Sequence, residues 1–385
     1  MSDVTRCSAG LVCAVILLLG CAGRSARPAV ARGDFPYRAN AQRTGAYDTE
    51  GPRKVTDTVI LFTKPGRLGF GLGYAGPVVA GEVAYFAAAD SYLYALDLKR
   101  QWELWRFKIG ALGSACTPAV FDGVVYFGSE DSVLRALDAV TGKELWRFPT
   151  GGGVMSSPVV ESNLVLFGSY DGNLYALDVR TGTERWRYET RGGVGSSPAV
   201  AQRVIYFGSY DSRMYAVDLD TRQTRWKFKT GGPVEATPAV AGGMVYFGSP
   251  DKYIYALDAG SGQERWSFRT DSFVSAGAAV TRGVVYCGSH DGSLYALDAE
   301  TGRERWRFKT TGRIWGAPSV AGRTLYFGSE DRCLHALDVE TGQEFWMWKL
   351  DRSCGSTKPG LTRCFARRSS PLERSTSAIS VVGVA

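Results

Sequence analysis

Few residues in this chain could do chemistry, and most of them recur at a fixed interval. The sequence has two histidines, His290 and His335, and eight cysteines. An aspartate closes every copy of an Ala-Leu-Asp or Ala-Val-Asp triplet, at Asp97, Asp138, Asp178, Asp218, Asp258, Asp298 and Asp338. Because the same acid returns in every copy, a local role in capping turn N–H groups is favoured over a catalytic role.

The sequence does not predict a metal site. Calcium needs six to eight oxygen ligands at one place, and no copy of the repeat is richer in acids than the others. His335 stands where sister copies have the Tyr of Leu-Tyr-Ala-Leu-Asp. We therefore expect His335 to be a packed or half-exposed variant and not a ligand.

The N-terminus has the pattern of a bacterial lipoprotein signal. An apolar run over residues 11–19 is too short to span a bilayer and fits a signal core. Leu-Leu-Gly-Cys then resembles a lipobox, which predicts a signal over residues 1–20 and lipidation of Cys21. Residues 21–33 read as a flexible tether. Ala22, where inner-membrane lipoproteins usually have Asp, implies a lipid-anchored protein on the periplasmic face of the outer membrane.

An internal repeat predicts the fold. The motif Tyr-Phe-Gly-Ser, the aspartate triplet and a later tryptophan recur together, and from Trp146 onward the tryptophans are 40 residues apart. Each copy contains four short strands, with Asp-Gly and Thr-Gly at hairpin turns. Four antiparallel strands per repeat predict an all-β propeller over residues 76–350 with seven complete blades. We expect the repeated tryptophans to fill the gaps between blades: Trp105, Trp146, Trp186, Trp226, Trp266, Trp306 and Trp346.

Both ends of the repeat region predict a degenerate eighth blade. Residues 34–75 form a lead-in, in which Thr58 to Thr63 resembles an unpaired fourth strand. Ser356 to Leu361 resembles the first strand of another copy, after which the pattern disappears. Residues 351–385 are thus a degenerate blade or a disordered tail, and a frameshift after Leu361 is one hypothesis for the break.

The repeat unit resembles the PQQ-like, tryptophan-docking propeller family, and Phe35 to Gly45 resembles the lead-in of that family. With a lipobox in front, the chain resembles the BamB branch, whose members help to fold outer-membrane β-barrels. This resemblance implies a protein-binding scaffold without a cofactor. A propeller that senses a small molecule and an oxidoreductase using PQQ with calcium remain alternatives.

Departures from the repeat point to one face of the disc. In a four-stranded blade, the turns between second and third strands share a face with the loops that cross between blades. Large or charged residues replace small ones there, and we take six as a candidate binding rim: Glu235, Phe273, His290, Arg313, Trp315 and Arg332. Such a rim suits a protein or peptide partner, and open strand edges could pair with an extended client strand.

Charge argues against a nucleic-acid partner. The net charge is +7, but the basic residues occur one or two at a time along the repeats and form no block of Lys and Arg. Nucleic-acid binding normally requires a concentrated basic patch. We expect no nucleic-acid binding.

Overall fold

Seven four-stranded antiparallel sheets form the protein, which confirms the predicted propeller. The computed structural model describes residues 13–14, 46–47, 76–88, 91–100, 102–110, 116–349 and 383–384. All regular elements in those ranges are strands. We number the sheets as blades 1 to 7 in chain order. No helix among the described residues has the length and apolar character needed to cross a membrane.

Each blade begins with a three-residue strand followed by a longer, almost fully buried one. The first strands lie side by side from blade to blade and so surround the propeller axis. They are Val78–Ala80, Ala119–Phe121, Val159–Glu161, Ala199–Ala201, Ala239–Ala241, Ala279–Thr281 and Ser319–Ala321. The second strands are Val83–Ala88, Val124–Ser129, Leu164–Gly168, Val204–Ser209, Met244–Gly248, Val284–Gly288 and Thr324–Ser329.

The third strand of each blade ends on the repeated aspartate, and the fourth forms the outer edge. The third strands are Tyr92–Asp97, Val133–Asp138, Asn173–Asp178, Arg213–Asp218, Tyr253–Asp258, Ser293–Asp298 and Cys333–Asp338. The fourth strands are Trp102–Lys108, Glu144–Pro149, Glu184–Glu189, Thr224–Lys229, Glu264–Arg269, Glu304–Lys309 and Glu344–Lys349. In the fourth strands, exposed and half-buried side chains mostly alternate, as expected for a sheet edge with one wet side.

Three short strands lie outside the blades. Ala46–Tyr47 adds a parallel strand beside Ser319–Ala321 of blade 7. Cys13–Ala14 pairs antiparallel with Gly383–Val384. Cys21 and the segments assigned to an eighth blade, residues 58–63 and 356–361, lie outside the described residues. The lipid anchor and the eighth blade therefore stay predictions.

At five interfaces, one carbonyl of the following blade receives two side-chain donors from the blade before it. Between blades 1 and 2, Trp105 Nε1 at 2.9 Å and the Tyr85 hydroxyl at 3.1 Å both donate to the Ala139 oxygen. The two donors use both lone pairs of a carbonyl that water cannot reach. The same arrangement recurs at four further interfaces, where the acceptors are Val179, Ala259, Ala299 and Val339.

A glycine of the following blade lies against the tryptophan ring. A Cβ on Gly262 would come within 2.5 Å of Trp226, so only a bare backbone permits this approach. Gly262 also has a φ of 72°, which glycine adopts at little cost. At the interface of blades 3 and 4 the equivalent residue is Arg222, with φ 64°, and Leu166 replaces the tyrosine donor. That interface therefore keeps the tryptophan but lacks both the glycine and the tyrosine donor.

The aspartate triplets cap turns, as the sequence indicated. Asp298 Oδ1 accepts hydrogen bonds from the N–H groups of Glu300 and Thr301 and from the Thr301 hydroxyl. Its other oxygen pairs with Arg305 at 2.6 Å, and these contacts lower the pKa of Asp298. Asp178, Asp218 and Asp258 make the same set of contacts. Their carboxylates are thus used locally.

We expect Tyr206→Phe to lower the free energy of unfolding by about 1 kcal/mol, because Ala259 loses one of its two donors in a buried interface. Denaturant unfolding followed by tryptophan fluorescence measures this change. Tyr188→Phe is the control, since that hydroxyl only contacts Thr224 at the exposed surface. Its effect should stay within about 0.5 kcal/mol. Equal losses in both variants would contradict a special role for the buried donor pair.

Candidate functional site

The loops between blades and the turns between second and third strands form one face, which we call the loop face. Each of the five crossing loops between blade 2 and blade 7 is fastened to both blades that it joins. In the loop from blade 2 to blade 3, the Val154 N–H donates to Ser129 of blade 2. The Gly151 N–H donates to Asp171 of blade 3 at 2.8 Å. The loop face is therefore a fixed surface on which single side chains can vary.

The glycine of Tyr-Phe-Gly-Ser makes room for the crossing loop. A Cβ on Gly248 would lie 2.2 Å from Val274 Cγ1 and 2.7 Å from its carbonyl oxygen. Val274 is fully buried in this contact, whereas Phe273, the residue before it in the chain, is 48% exposed. A buried aliphatic plug thus anchors the loop and presents its neighbour to solvent.

Four of the six predicted rim residues come together at blades 6 and 7. The rings of His290 and Trp315 lie 3.8 Å apart, and Phe273 lies 6.1 Å from His290. Trp315 Nε1 donates to the Glu330 carboxylate at 3.1 Å, and Arg313 lies 3.9 Å from the same carboxylate. We call Phe273, His290, Arg313, Trp315 and Glu330 the aromatic rim cluster. It places three adjoining rings beside one balanced ion pair.

The chemistry of His290 suits stacking. Burial and the nearby Arg313 guanidinium lower the pKa of His290 below its ordinary value. The imidazole is therefore neutral at pH 7 and can pack against Trp315 without carrying a charge into the cluster. Its Nε2 atom is buried without a hydrogen-bond partner among the described residues.

The two remaining rim residues lie elsewhere. Glu235, in the loop between blades 4 and 5, lies near Tyr210 and contributes with burial and Tyr170 to raising the pKa of that tyrosine. Tyr170 and Tyr210 form a second aromatic contact, edge to face at 5.5 Å, which the sequence analysis did not single out. The sequence pattern that could have predicted this contact is that two successive copies both carry tyrosine at this turn position. Arg332 occupies the turn of blade 7 at φ 68°, where Ser132 and Ser212 also have positive φ.

Hydroxyl side chains link neighbouring blades close to the axis. The Gly76 N–H donates to the Thr117 hydroxyl, the Thr117 N–H to Ser157, and the Ser157 N–H to Ser197, at 2.7 to 3.0 Å. These residues each precede a proline that opens a first strand. The hydroxyl-proline pairs recur in the sequence, but their contacts with the next blade were not predicted. These hydroxyls therefore form hydrogen bonds that hold neighbouring blades together.

One group of three or more potential metal ligands occurs among the described residues: Asp331, Cys333 and His335. His335 is buried, as expected for a packed variant, and it contacts Asp331 and Glu344. Burial opposes protonation, but hydrogen bonds to these two carboxylates raise the pKa of His335. A thiol and an imidazole do not match the oxygen ligands that calcium prefers. This group therefore does not fit a calcium-bound quinone.

Seven four-stranded blades with tryptophans docked against glycines define a PQQ-like repeat propeller. A family model described as outer membrane protein assembly factor BamB matches residues 100–195, 171–272 and 250–373. These matches cover more than half of the chain, and the chain belongs to this family. The comparison with curated proteins found no match.

Solved structures share the fold at low identity. BamB from Moraxella catarrhalis is 20% identical, with a TM-score of 0.60 over 74% of this chain and 85% of that one. A europium-containing methanol dehydrogenase is 16% identical, with a TM-score of 0.70 over 81% and 84%. A quinohemoprotein alcohol dehydrogenase from Comamonas testosteroni is also 16% identical, with a TM-score of 0.70 over 83% and 73%. These likenesses show the fold alone.

We expect Gly248→Ala to destabilise the protein by about 1 to 3 kcal/mol, because the new methyl group overlaps the buried Val274 plug. Thermal or denaturant unfolding measures the loss. Gly260→Ala is the matched control, since its nearest neighbour would lie at 3.5 Å and its φ is not positive. That variant should stay within about 0.5 kcal/mol of the parent. Similar stabilities for the two variants would show that the loop can shift without cost.

Proposed function

We propose that this protein is a lipid-anchored, periplasm-facing scaffold that binds other proteins during outer-membrane protein assembly. Membership of the family described as outer membrane protein assembly factor BamB supports the assembly role. The lipobox ending at Cys21 supports the anchor, and Ala22 supports the outer membrane as its location.

The aromatic rim cluster is the observation that carries the binding role. Phe273 is 48% exposed beside His290 and Trp315, on loops that are fixed to the blades beneath them. Clustered aromatic and arginine side chains on a rigid support contribute most of the binding energy in many protein interfaces. Because the loops are already ordered, a partner would bind without a large cost for ordering them.

The outer edge of the ring offers a second mode of contact, with an extended client strand. Blades 3 to 6 carry Arg185, Arg225, Arg265 and Arg305 at one fourth-strand position, each paired with the aspartate of its own blade. Blades 1, 2 and 7 carry exposed apolar residues there: Leu104, Leu145 and Phe345. Charged edges deter strand pairing, and apolar edges permit it. Pairing with a client strand is therefore favoured at blades 7, 1 and 2.

A small-molecule sensor and a PQQ-dependent oxidoreductase would use the same fold. Two similar structures, at 16% identity, are a methanol dehydrogenase and a quinohemoprotein alcohol dehydrogenase. One fold hosts many functions, so this likeness does not favour an enzyme over a scaffold. Dye-linked alcohol oxidation after adding PQQ and calcium to the purified protein separates the oxidoreductase from the other two functions. Turnover in that assay would contradict a purely binding role.

We expect the double variant Phe273→Gly with Trp315→Ser to recover at least tenfold less barrel-assembly protein or outer-membrane barrel after crosslinking in solubilised outer membrane. Two aromatic anchors of about 2 kcal/mol each would account for such a loss. The new residues are those of sister copies, Gly193 and Ser275, so folding should be kept.

The control for this experiment is Val140→Glu, which changes a side chain 76% exposed on the opposite face of the disc. It should recover the same proteins as the parent. Equal recovery from the rim variant and the control would place the binding surface elsewhere. Recovery of no outer-membrane assembly component by the parent protein would overturn the assembly role.

We expect Cys21→Ser to abolish incorporation of radiolabelled fatty acid and to release the protein into the soluble periplasmic fraction. The Cys21 thiol is the predicted acceptor of the lipid, and we expect that a serine hydroxyl at this position does not accept it. Fractionation with immunodetection measures the change, and Cys13→Ser, within the predicted signal core, should stay membrane-bound. Unchanged labelling of Cys21→Ser would rule out this anchor.

A further inference from the structure

Three different ligand types meet at the start of the third strand of blade 7. Asp331 ends the preceding turn, and Cys333 and His335 follow on the strand at alternate positions, which places both on one face. A carboxylate oxygen, the thiol sulfur and a ring nitrogen all lie within 4.8 Å of one another. Cys333 and His335 are both buried. The backbone fixes this spacing, since the Cys333 N–H donates to Asp331 Oδ1 at 2.9 Å.

Sister blades show that the combination is particular to blade 7 among the described blades. Where blade 7 has His335, blades 3 to 6 have a tyrosine whose hydroxyl donates to the turn aspartate. In blade 6 the equivalent set is Asp291, Ser293 and Tyr295. The repeat therefore supplies the acid, and two substitutions in blade 7 supply the thiol and the imidazole.

Blade 2 shows that this place in a blade accommodates a cation. There Arg135 occupies the position of His335, is buried, and lies 2.6 Å from Asp131 and 3.7 Å from Glu144. Blade 7 keeps both acids, as Asp331 and Glu344, but has a shorter side chain between them. In blade 7, the carboxylates of Asp331 and Glu344 therefore face the space that the Arg135 guanidinium fills in blade 2.

The His335 ring is held in the orientation that a metal requires. Glu344 Oε1 lies 2.7 Å from Nδ1, which fixes that nitrogen as a donor. Nε2 is then directed toward Asp331, at 3.1 Å from Oδ2. Phe327 stacks on the ring at 5.0 Å and Phe308 packs against it at 5.4 Å. A carboxylate behind a ligating histidine is the usual way in which proteins orient the ring toward a metal.

We propose that Asp331, Cys333 and His335 bind one Zn²⁺ ion, with Glu344 as the acceptor behind the histidine. Thiolate, imidazole and carboxylate together favour zinc over calcium or magnesium. Binding releases the thiol proton and any proton shared between His335 and Asp331, so the metal replaces protons in a pocket rich in carboxylate. Three protein ligands leave the fourth tetrahedral position for water or an incoming ligand. This site is independent of the aromatic rim cluster and of the proposed assembly role.

The test uses the full, untagged protein after treatment with a chelator. Titration with Zn²⁺ by calorimetry should give one equivalent bound, and Co²⁺ in its place should give a sulfur-to-cobalt absorption band. The double variant Cys333→Ser with His335→Tyr restores the blade 6 residues, so the propeller should fold with unchanged circular dichroism. It should lose the Zn²⁺ equivalent and the Co²⁺ band together.

Two further variants separate zinc binding from simple burial of a charged histidine. Glu344→Gln should weaken Zn²⁺ about 10- to 100-fold while keeping the Co²⁺–sulfur band, because only the support of the ring changes. Cys287→Phe removes another buried thiol, gives the residue that sister copies have at this position, and should bind Zn²⁺ like the parent. Less than one equivalent in the parent, a Co²⁺ spectrum without sulfur, or equal binding by the double variant would each overturn the proposal. The cluster would then be an internal ion pair.

Discussion

A buried carbonyl with two donors from the neighbouring blade is the contact on which the rest of this structure depends. The oxygen of Ala139 is buried, where an unmet acceptor would cost about 1 to 3 kcal/mol. Trp105 and Tyr85 satisfy it from one side, while Gly142 lets the indole ring lie against the turn. The same three residues thus bury apolar surface, allow close packing of the ring on the turn and satisfy the carbonyl. Together they fix the geometry between neighbouring blades.

That fixed geometry explains how the loop face can differ from copy to copy without loss of the fold. Each crossing loop between blade 2 and blade 7 is anchored by a buried plug such as Val274 and by hydrogen bonds of its backbone to both blades. The positions on either side of the plug touch little of the core. Phe273 and Trp315 occupy such positions, so they add an exposed aromatic surface at small cost to stability. A protein-binding surface can therefore change while the propeller beneath it stays constant.

Substitutions inside a blade differ from those on the loop face, because they keep an electrostatic contact within the blade. Arg135 and His335 both replace a tyrosine that donates to the turn aspartate in other blades. Each substitution puts a basic side chain beside two carboxylates, in a place from which water is largely excluded. Buried charges are kept only when they are paired. The two blades thus keep one electrostatic arrangement with different side chains.

The sequence by itself determined the blade, because turns, strand alternation and aspartate caps depend on residues within a few positions of one another. The four strands per copy, the seven blades and the capping by residues such as Asp298 were all predictable on that basis. The repeated tryptophans were expected between blades, but which other side chains touch across the blades was decided only by the tertiary structure. Phe273, His290 and Trp315 meet although they belong to different copies, while Glu235 lies apart from them near Tyr210. A fixed repeat length places equivalent loop positions on the same face of the disc. Which of their side chains touch depends on how neighbouring blades pack against each other.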